Sequence, residues 1–302
     1  MKITFPPDDP SEAGTWRNSR QYEALPNVFP VVTYLMVIWC VAAHFMAHRA
    51  GVDGDIAAFH LKQDELGSMN LYNPWGEPAW KYLTSCFLHA GSGLISIHLI
   101  FNMMWLFQLG PLMERGLGSM KFLLFVVATG FVSSTYGTSL EGSGIGMSGV
   151  VYAMVGFMWT AWPRWTGFLE RFRGSTVKFM LFWQVLVILM AVFGETNISI
   201  AAHMSGMVLG ALIGLWACHG NRYGMKWLAG SLAFTAIGVA TIFWSPWSEF
   251  YRYNKMTGEQ FESLSISEQV RYLSWLERIS ETQGPAPATK FGGNLKELMD
   301  SQ

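Results

Sequence analysis

Gly142-Ser-Gly-Ile-Gly146-Met147-Ser148-Gly149-Val-Val-Tyr152-Ala153-Met-Val-Gly156-Phe-Met-Trp159-Thr-Ala-Trp162-Pro163 runs for 22 residues without an Asp, Glu, Lys or Arg. A helix needs about 20 predominantly apolar residues to cross a bilayer. This stretch is long enough, it ends in tryptophans suited to a membrane interface, and it carries a serine near its start.

Working outward, similar uncharged runs occupy 24–48, 82–113, 122–140, 179–194, 196–221 and 227–248. The run at 179–194 has 16 residues and reaches spanning length if Lys178 snorkels. The expected spans are 30–48, 93–112, 122–140, 146–162, 178–194, 201–219 and 227–245. With 51% hydrophobic and 14% charged residues in 302, the chain is too apolar for an ordinary soluble domain. The fold class expected is therefore an all-α polytopic membrane protein, six helices in a core plus a seventh C-terminal span.

Acidic and basic side chains nearly cancel, 21 against 20. That argues against nucleic acid as a partner, because a phosphate-binding surface needs a basic excess. Cys40, Cys86 and Cys218 form neither a disulfide framework nor a metal pattern. No metal and no cofactor is expected.

With the N-terminus in the cytoplasm, the inner segments hold 11 Lys and Arg and the outer loops hold three, Arg49, Lys62 and Lys81. The positive-inside rule favours that orientation. The soluble parts are an N-terminal arm (1–25), a long outer loop (50–92) within the core 26–219, and a tail (249–302) after the seventh span (220–248). No segment at the start reads as a cleaved signal peptide. In the tail, Val270, Leu273 and Leu276 recur at threes, which predicts an amphipathic helix over 267–279. Gly284-Pro285-Ala286-Pro287 then reads as a connector.

Strongly polar side chains inside a span are expensive and usually face protein or water. Ser148 at the outer end of the fourth span and His203 at the outer end of the sixth fall at one depth on parallel helices. His98 and Asn102, four apart on one face of the second span, enter from the same side. A hydroxyl within reach of an imidazole base is the core of nucleophilic catalysis. Asn102, His98 and the Ser148 backbone N–H could serve a developing oxyanion. With no carboxylate at comparable depth near His203, a dyad is expected rather than a triad. Each residue has a plainer reading: Ser148 as a small helix-start residue, His98 as a packing histidine, His203 as a pore or relay group. Their common depth favours the chemical one. Gly149, Gly156, Gly206, Gly210 and Gly214 predict direct contact between the fourth and sixth spans. Tyr152, one turn after Ser148, either orients the histidine ring or fills space.

These residues resemble the rhomboid family of intramembrane serine proteases. The matching pieces are His98-Leu-Ile-Phe-Asn102, Gly146-Met147-Ser148-Gly149-Val-Val-Tyr152 and His203-Met-Ser-Gly206 with Gly210, within about 75–219. The resemblance implies Ser148 as nucleophile and His203 as general base and acid. It also implies His98, Asn102 and the Ser148 amide at the oxyanion, with Tyr152 against His203. It further implies a pocket open to outer water, a bracing loop over 50–92, and membrane protein substrates, single-span or multi-span. These would enter from the bilayer past the fifth span and a cap loop, with Phe179, Phe182 and Trp183 as candidate gate residues. A bacterial cell membrane is the expected location.

Four features depart from the family or extend it. Trp80-Lys81 stands where many bacterial members have Trp-Arg. The longer interval from His89 to His98 leaves the placement of His89 open. Glu114-Arg115-Gly116 replaces Glu-x-Arg, so the carboxylate brace would have to be rebuilt. The seventh span resembles the six-plus-one arrangement of some members. Two rivals have less support: an inactive rhomboid-like protein that binds client helices, because both serine and histidine are present, and a proton-coupled transporter, because the inner span halves lack ionisable groups. A zinc protease is disfavoured by the absence of His-Glu-x-x-His.

Overall fold

The computed structural model describes residues 5–6, 8, 25–52, 79–89, 96–141, 145–193, 198–219, 221–245, 248, 252–253, 256 and 258–283. Most of the arm, most of the long outer loop with Trp75, the cap loop near Glu195, and the connector at 284–287 lie outside the described residues. In chain order the helices are α1 (Val31–Val52), α2 (Trp80–Thr84), α3 (Ile97–Leu117), α4 (Ser119–Glu141), α5 (Ser148–Ala161), α6 (Gly174–Phe193), α7 (Ile200–Cys218), α8 (Asn221–Phe243), α9 (Gly258–Glu262) and α10 (Ile266–Gln283). The described residues contain no strand.

The protein is an all-α polytopic membrane protein. Among the described residues, α1 and α3 to α8 fall on the seven uncharged runs. Ser119–Glu141, Ile200–Cys218 and Gly224–Phe243 are long and apolar enough to cross a bilayer by themselves. Large apolar side chains face outward around the bundle, among them Leu35 and Ile38 on α1, Ile100 on α3, Leu124 on α4, Phe182 on α6 and Leu232 on α8. So much exposed apolar surface suits lipid rather than water.

Local chemistry moves several helix ends from their expected places. α3 begins at Ile97 instead of 93 because the Ser96 hydroxyl accepts the Leu99 N–H (3.3 Å), an N-cap. It ends at Gly118, whose φ of 79° favours glycine. α6 begins at Gly174 instead of 178, because the Asp8 carboxylate accepts the Ser175 N–H at 2.6 Å. Glu114 closes the other end of α3. It is fully buried and accepts from Val32 N–H (2.9 Å), Thr33 N–H (2.9 Å), Thr33 Oγ1 (2.8 Å) and Ser119 Oγ (2.6 Å). The brace is indeed rebuilt: the carboxylate caps α1 and ties α1, α3 and α4 together without a guanidinium among these bonds.

α5 is the central helix, with 12 of its 14 residues buried. α7 lies against it, backbone to backbone. A Cβ on Gly206 would overlap Gly149 O, one on Gly210 would overlap Ala153 O, and one on Gly156 would overlap Met207 O. α8 belongs to the bundle through α4. Tyr136 Oη donates to Phe234 O (2.9 Å), the Ser139 and Thr241 hydroxyls are 2.6 Å apart, and Ser248 Oγ donates to Leu140 O (2.9 Å).

In the tail, α10 starts with a capping box in which Ser265 N–H and Oγ both donate to Glu268 Oε2, at 3.1 and 2.6 Å. Its buried face centres on Tyr272, clustered with Tyr253 and Phe261, while Leu273 and Leu276 lie at the margin of that cluster. The expected 267–279 helix is therefore longer and turned toward an aromatic residue, because two tyrosines and a phenylalanine offer more area to bury than three aliphatic side chains.

Candidate active site

The chain turns into α5 through Gly146, whose φ of 95° is open to glycine at little cost. A Cβ there would also stand 2.6 Å from His98 Cε1 and 2.8 Å from His98 Nε2. Gly146 therefore serves both the turn and the close approach of the His98 ring. The turn just after α2 braces this one: Gly146 N–H donates to Ser85 O at 3.1 Å. Met147 is fully buried. The first backbone bond inside α5 is Val151 N–H to Met147 O (2.9 Å), so the Ser148 N–H precedes the helical ladder.

His89 belongs to the same cluster. Its Nδ1 lies 3.1 Å from Phe87 O, its Nε2 lies 3.5 Å from Met147 N, and its ring centroid is 5.2 Å from that of His98. His89 therefore lies beside the His98 ring, and the segment that carries it is tied to the α5 turn by the Gly146 N–H to Ser85 O bond. Asn102 is buried, and one of its amide hydrogens goes to His98 O at 2.8 Å. The other leaves one donor for a ligand.

On α7, His203 is 5% exposed and its ring lies flat against that of Tyr152, centroids 4.4 Å apart at 13°. Tyr152 follows Ser148 by one helical turn, so both project from one face of α5. Ser148 itself is half-buried. Among the described residues no hydrogen bond joins Ser148 Oγ to His203. Such contacts are commonly long in a resting site and tighten around a substrate. α7 is itself capped from α4: Glu141 accepts from Ser199 Oγ (2.6 Å) and Ala201 N–H (3.0 Å), which holds the first turn before His203.

Gln184, on α6, went unnoticed in the sequence. Its Oε1 lies 3.1 Å from His203 Nδ1. The available signal was a lone amide in the middle of an otherwise apolar span. The aromatic residues of α6 divide. Phe182 is 65% exposed, pointing away from the bundle. Trp183 stacks on Phe101 of α3 (6.1 Å, 14°), and Phe179 tilts against Trp105 (5.9 Å, 34°). Phe101 and Trp105 are partners that sequence reading did not single out. No cluster of His, Cys, Asp and Glu that could hold a metal occurs among the described residues.

Residues 76–220 match the family model described as Rhomboid domain. Proteins named Rhomboid protease GlpG are also similar to this chain. That of Photorhabdus laumondii is 37% identical over 152 residues, 49% of each chain. That of Yersinia pestis is 35% identical over 142 residues, 45% of this chain and 48% of the relative. A longer match, 223 residues at 27% identity, covers 68% of this chain and 73% of the protein from Yersinia enterocolitica. The chain spans about half the length of the curated relatives it matches at 35% or better. The three polar motifs, the glycine contact and the Tyr152–His203 stack all lie within the region, residues 76–220, that is similar to the rhomboid family.

Proposed function

We propose that this protein is an intramembrane serine endopeptidase that hydrolyses a peptide bond in or near a transmembrane helix of a membrane protein. The observation that carries this reading is the Tyr152 ring lying flat on His203, one turn from Ser148. That stack orients an imidazole toward the face of α5 that presents the hydroxyl.

Ser148 Oγ attacks the scissile carbonyl as His203 takes its proton, and the imidazolium then gives that proton to the leaving amine. The negative charge developing on the carbonyl oxygen is met by the Ser148 N–H, by Asn102 and by His98. Water attacks the acyl-enzyme with His203 again as base, releasing the second product.

The reaction needs water inside a bilayer. α5 has 14 residues, about 21 Å at 1.5 Å per residue, against a hydrocarbon core of about 30 Å. With Trp162 at the inner interface, Ser148 sits about 9 Å below the outer one, shallow enough for a water-filled pocket. We place the N-terminus in the cytoplasm of a bacterial cell, six spans around the pocket, α8 as a seventh, and the pocket open to the outer side. Single-span or multi-span substrates reach it between α3 and α6, where contact is made by rings rather than backbone.

The test is labelling of Ser148 by a serine-directed fluorophosphonate, together with cleavage of a single-span reporter in liposomes. Both are expected in the wild type and lost in Ser148→Ala and His203→Ala. Cleavage persisting in either variant would overturn the dyad. A protein that binds the reporter but neither cleaves it nor labels would instead be a client-binding member of the family.

A further inference from the structure

We propose that Gln184 is the positioning residue of His203, fixing the imidazole tautomer that can act as a base. This rests on the dyad reading above. Gln184 lies in the middle of α6 and is only 3% exposed. Its Oε1 is 3.1 Å from His203 Nδ1, and its Nε2 is buried without a partner. Burying an amide with half of its hydrogen-bonding capacity unmet is unfavourable. A leucine or methionine would fill the same apolar helix without that cost, so the compensating gain is sought at His203.

A neutral imidazole has one N–H and one lone pair, and the partner of the first decides where the second lies. Oε1 can only accept, so Nδ1 carries the hydrogen and donates to Gln184. Nε2 is then left with the lone pair, and among the described residues it has no hydrogen bond. The opposite amide orientation would put a donor against Nδ1 and leave the hydrogen on Nε2, where it could not accept the serine proton. Tyr152 holds the plane of the ring by stacking but offers no polar atom to Nδ1, so it cannot choose the tautomer.

A carboxylate performs this task in the Ser-His-Asp triads of soluble proteases. Within a bilayer an ionised carboxylate is costly, whereas a carboxamide offers the same acceptor without net charge. The arrangement is thus a dyad with an uncharged third member. That member stands on the helix next to Trp183, whose ring closes the α3–α6 contact.

The experiment uses Gln184→Met, which keeps the length and apolar bulk of the side chain and removes its acceptor, with Gln184→Leu as a second variant. In detergent-solubilised protein carrying ¹⁵N-histidine, wild-type His203 is expected to show a protonated Nδ1 and an unprotonated Nε2. In both variants the signals should move toward a mixture of tautomers. The kcat for the reporter should fall at least about tenfold with KM little changed, because the lost group acts on the base rather than on binding. Fluorophosphonate labelling should slow in proportion. An unchanged tautomer with wild-type kcat in a folded Met or Leu variant overturns the positioning role while leaving the dyad intact. A loss confined to KM also overturns it. Wild-type protein that fails to label overturns the dyad reading, and the positioning role with it.

Discussion

Between α5 and α7 the backbones touch: Gly149 O occupies the place a Gly206 Cβ would need, and Ala153 O that of a Gly210 Cβ. Between α3 and α6 the contact is made by rings, Phe101 on Trp183 and Trp105 on Phe179, with Phe182 turned outward. The first contact has no side chain that could rotate away, so the distance between the proposed nucleophile and base is set by main-chain geometry. The second contact is held by rotamers. Displacing two rings costs little, whereas separating α5 from α7 would open a void along the centre of the bundle. In the proposed function the fixed contact would hold the chemistry and the adjustable one would control access to it.

The largest expected effect comes from breaking the fixed contact. Gly206→Val should abolish reporter cleavage and cost about 3 kcal/mol or more of stability, since the new side chain overlaps backbone that cannot move aside. Thermal unfolding together with the cleavage assay checks both. If Gly206→Val keeps wild-type cleavage, the rigidity assigned to α5–α7 is wrong.

Next comes the ring that joins the contact to the base. Tyr152 Oη is buried without a partner among the described residues, so the ring and not the hydroxyl is what His203 uses. Tyr152→Phe should leave kcat within about twofold and change stability by no more than about 1 kcal/mol, on the favourable side. Tyr152→Ala should lower kcat at least about tenfold. Equal losses in the two variants would point to the hydroxyl instead.

The adjustable contact predicts an effect of opposite sign. Phe101→Ala combined with Trp183→Ala removes a stacked pair that contributes about 0.5–1.5 kcal/mol beyond its buried area. Stability should fall by a similar amount, while reporter cleavage in liposomes rises a few-fold. A fall in cleavage with intact fluorophosphonate labelling would move substrate access away from α3–α6.

The smallest effect lies at the inner end of α6. Asp8 accepts the Ser175 N–H and lies 3.6 Å from Lys178 Nζ. These hydrogen bonds from Ser175, more than the Lys178 charge, hold its carboxyl below the usual range. A lowered carboxylate pKa means that the attachment is complete above the ordinary range and is lost as pH falls through the lowered value. Proteolytic cleavage of the arm, followed from pH 7 down to pH 2, should therefore quicken only at the acid end. Asp8→Asn should already cleave at the faster rate at pH 7. Cleavage of the wild type that is insensitive to pH would remove this attachment from the comparison.

Much of this site was legible before any coordinates. Ser148, His203, His98 and Asn102 stood out because lipid makes unsatisfied polar groups costly, so their presence in apolar runs is informative in itself. The α5–α7 contact followed from glycines at four-residue spacing, because only a missing side chain allows such an approach. Gln184 was not legible. A single amide in the middle of a helix whose apolar residues cover every face gives no sign of which way it points, and only the packing of α6 turned it toward His203. Glu114 was visible as a charge near a helix end, yet its partners lie more than 80 residues away in α1. Phe101 and Trp105 were not singled out, because nothing in one apolar span marks which of its rings will meet a neighbouring helix.

Membrane residence, the helical class, the approximate helix positions and the polar residues of the candidate site were legible in the sequence itself, since each follows from solvation of short stretches of chain. Which nitrogen of His203 is held, what caps α1, where His89 sits, and which rings close the pocket were decided by tertiary structure alone. Those depend on distances between helices far apart in the chain, and a hydrogen bond or a ring stack exists only once such distances close to a few ångströms.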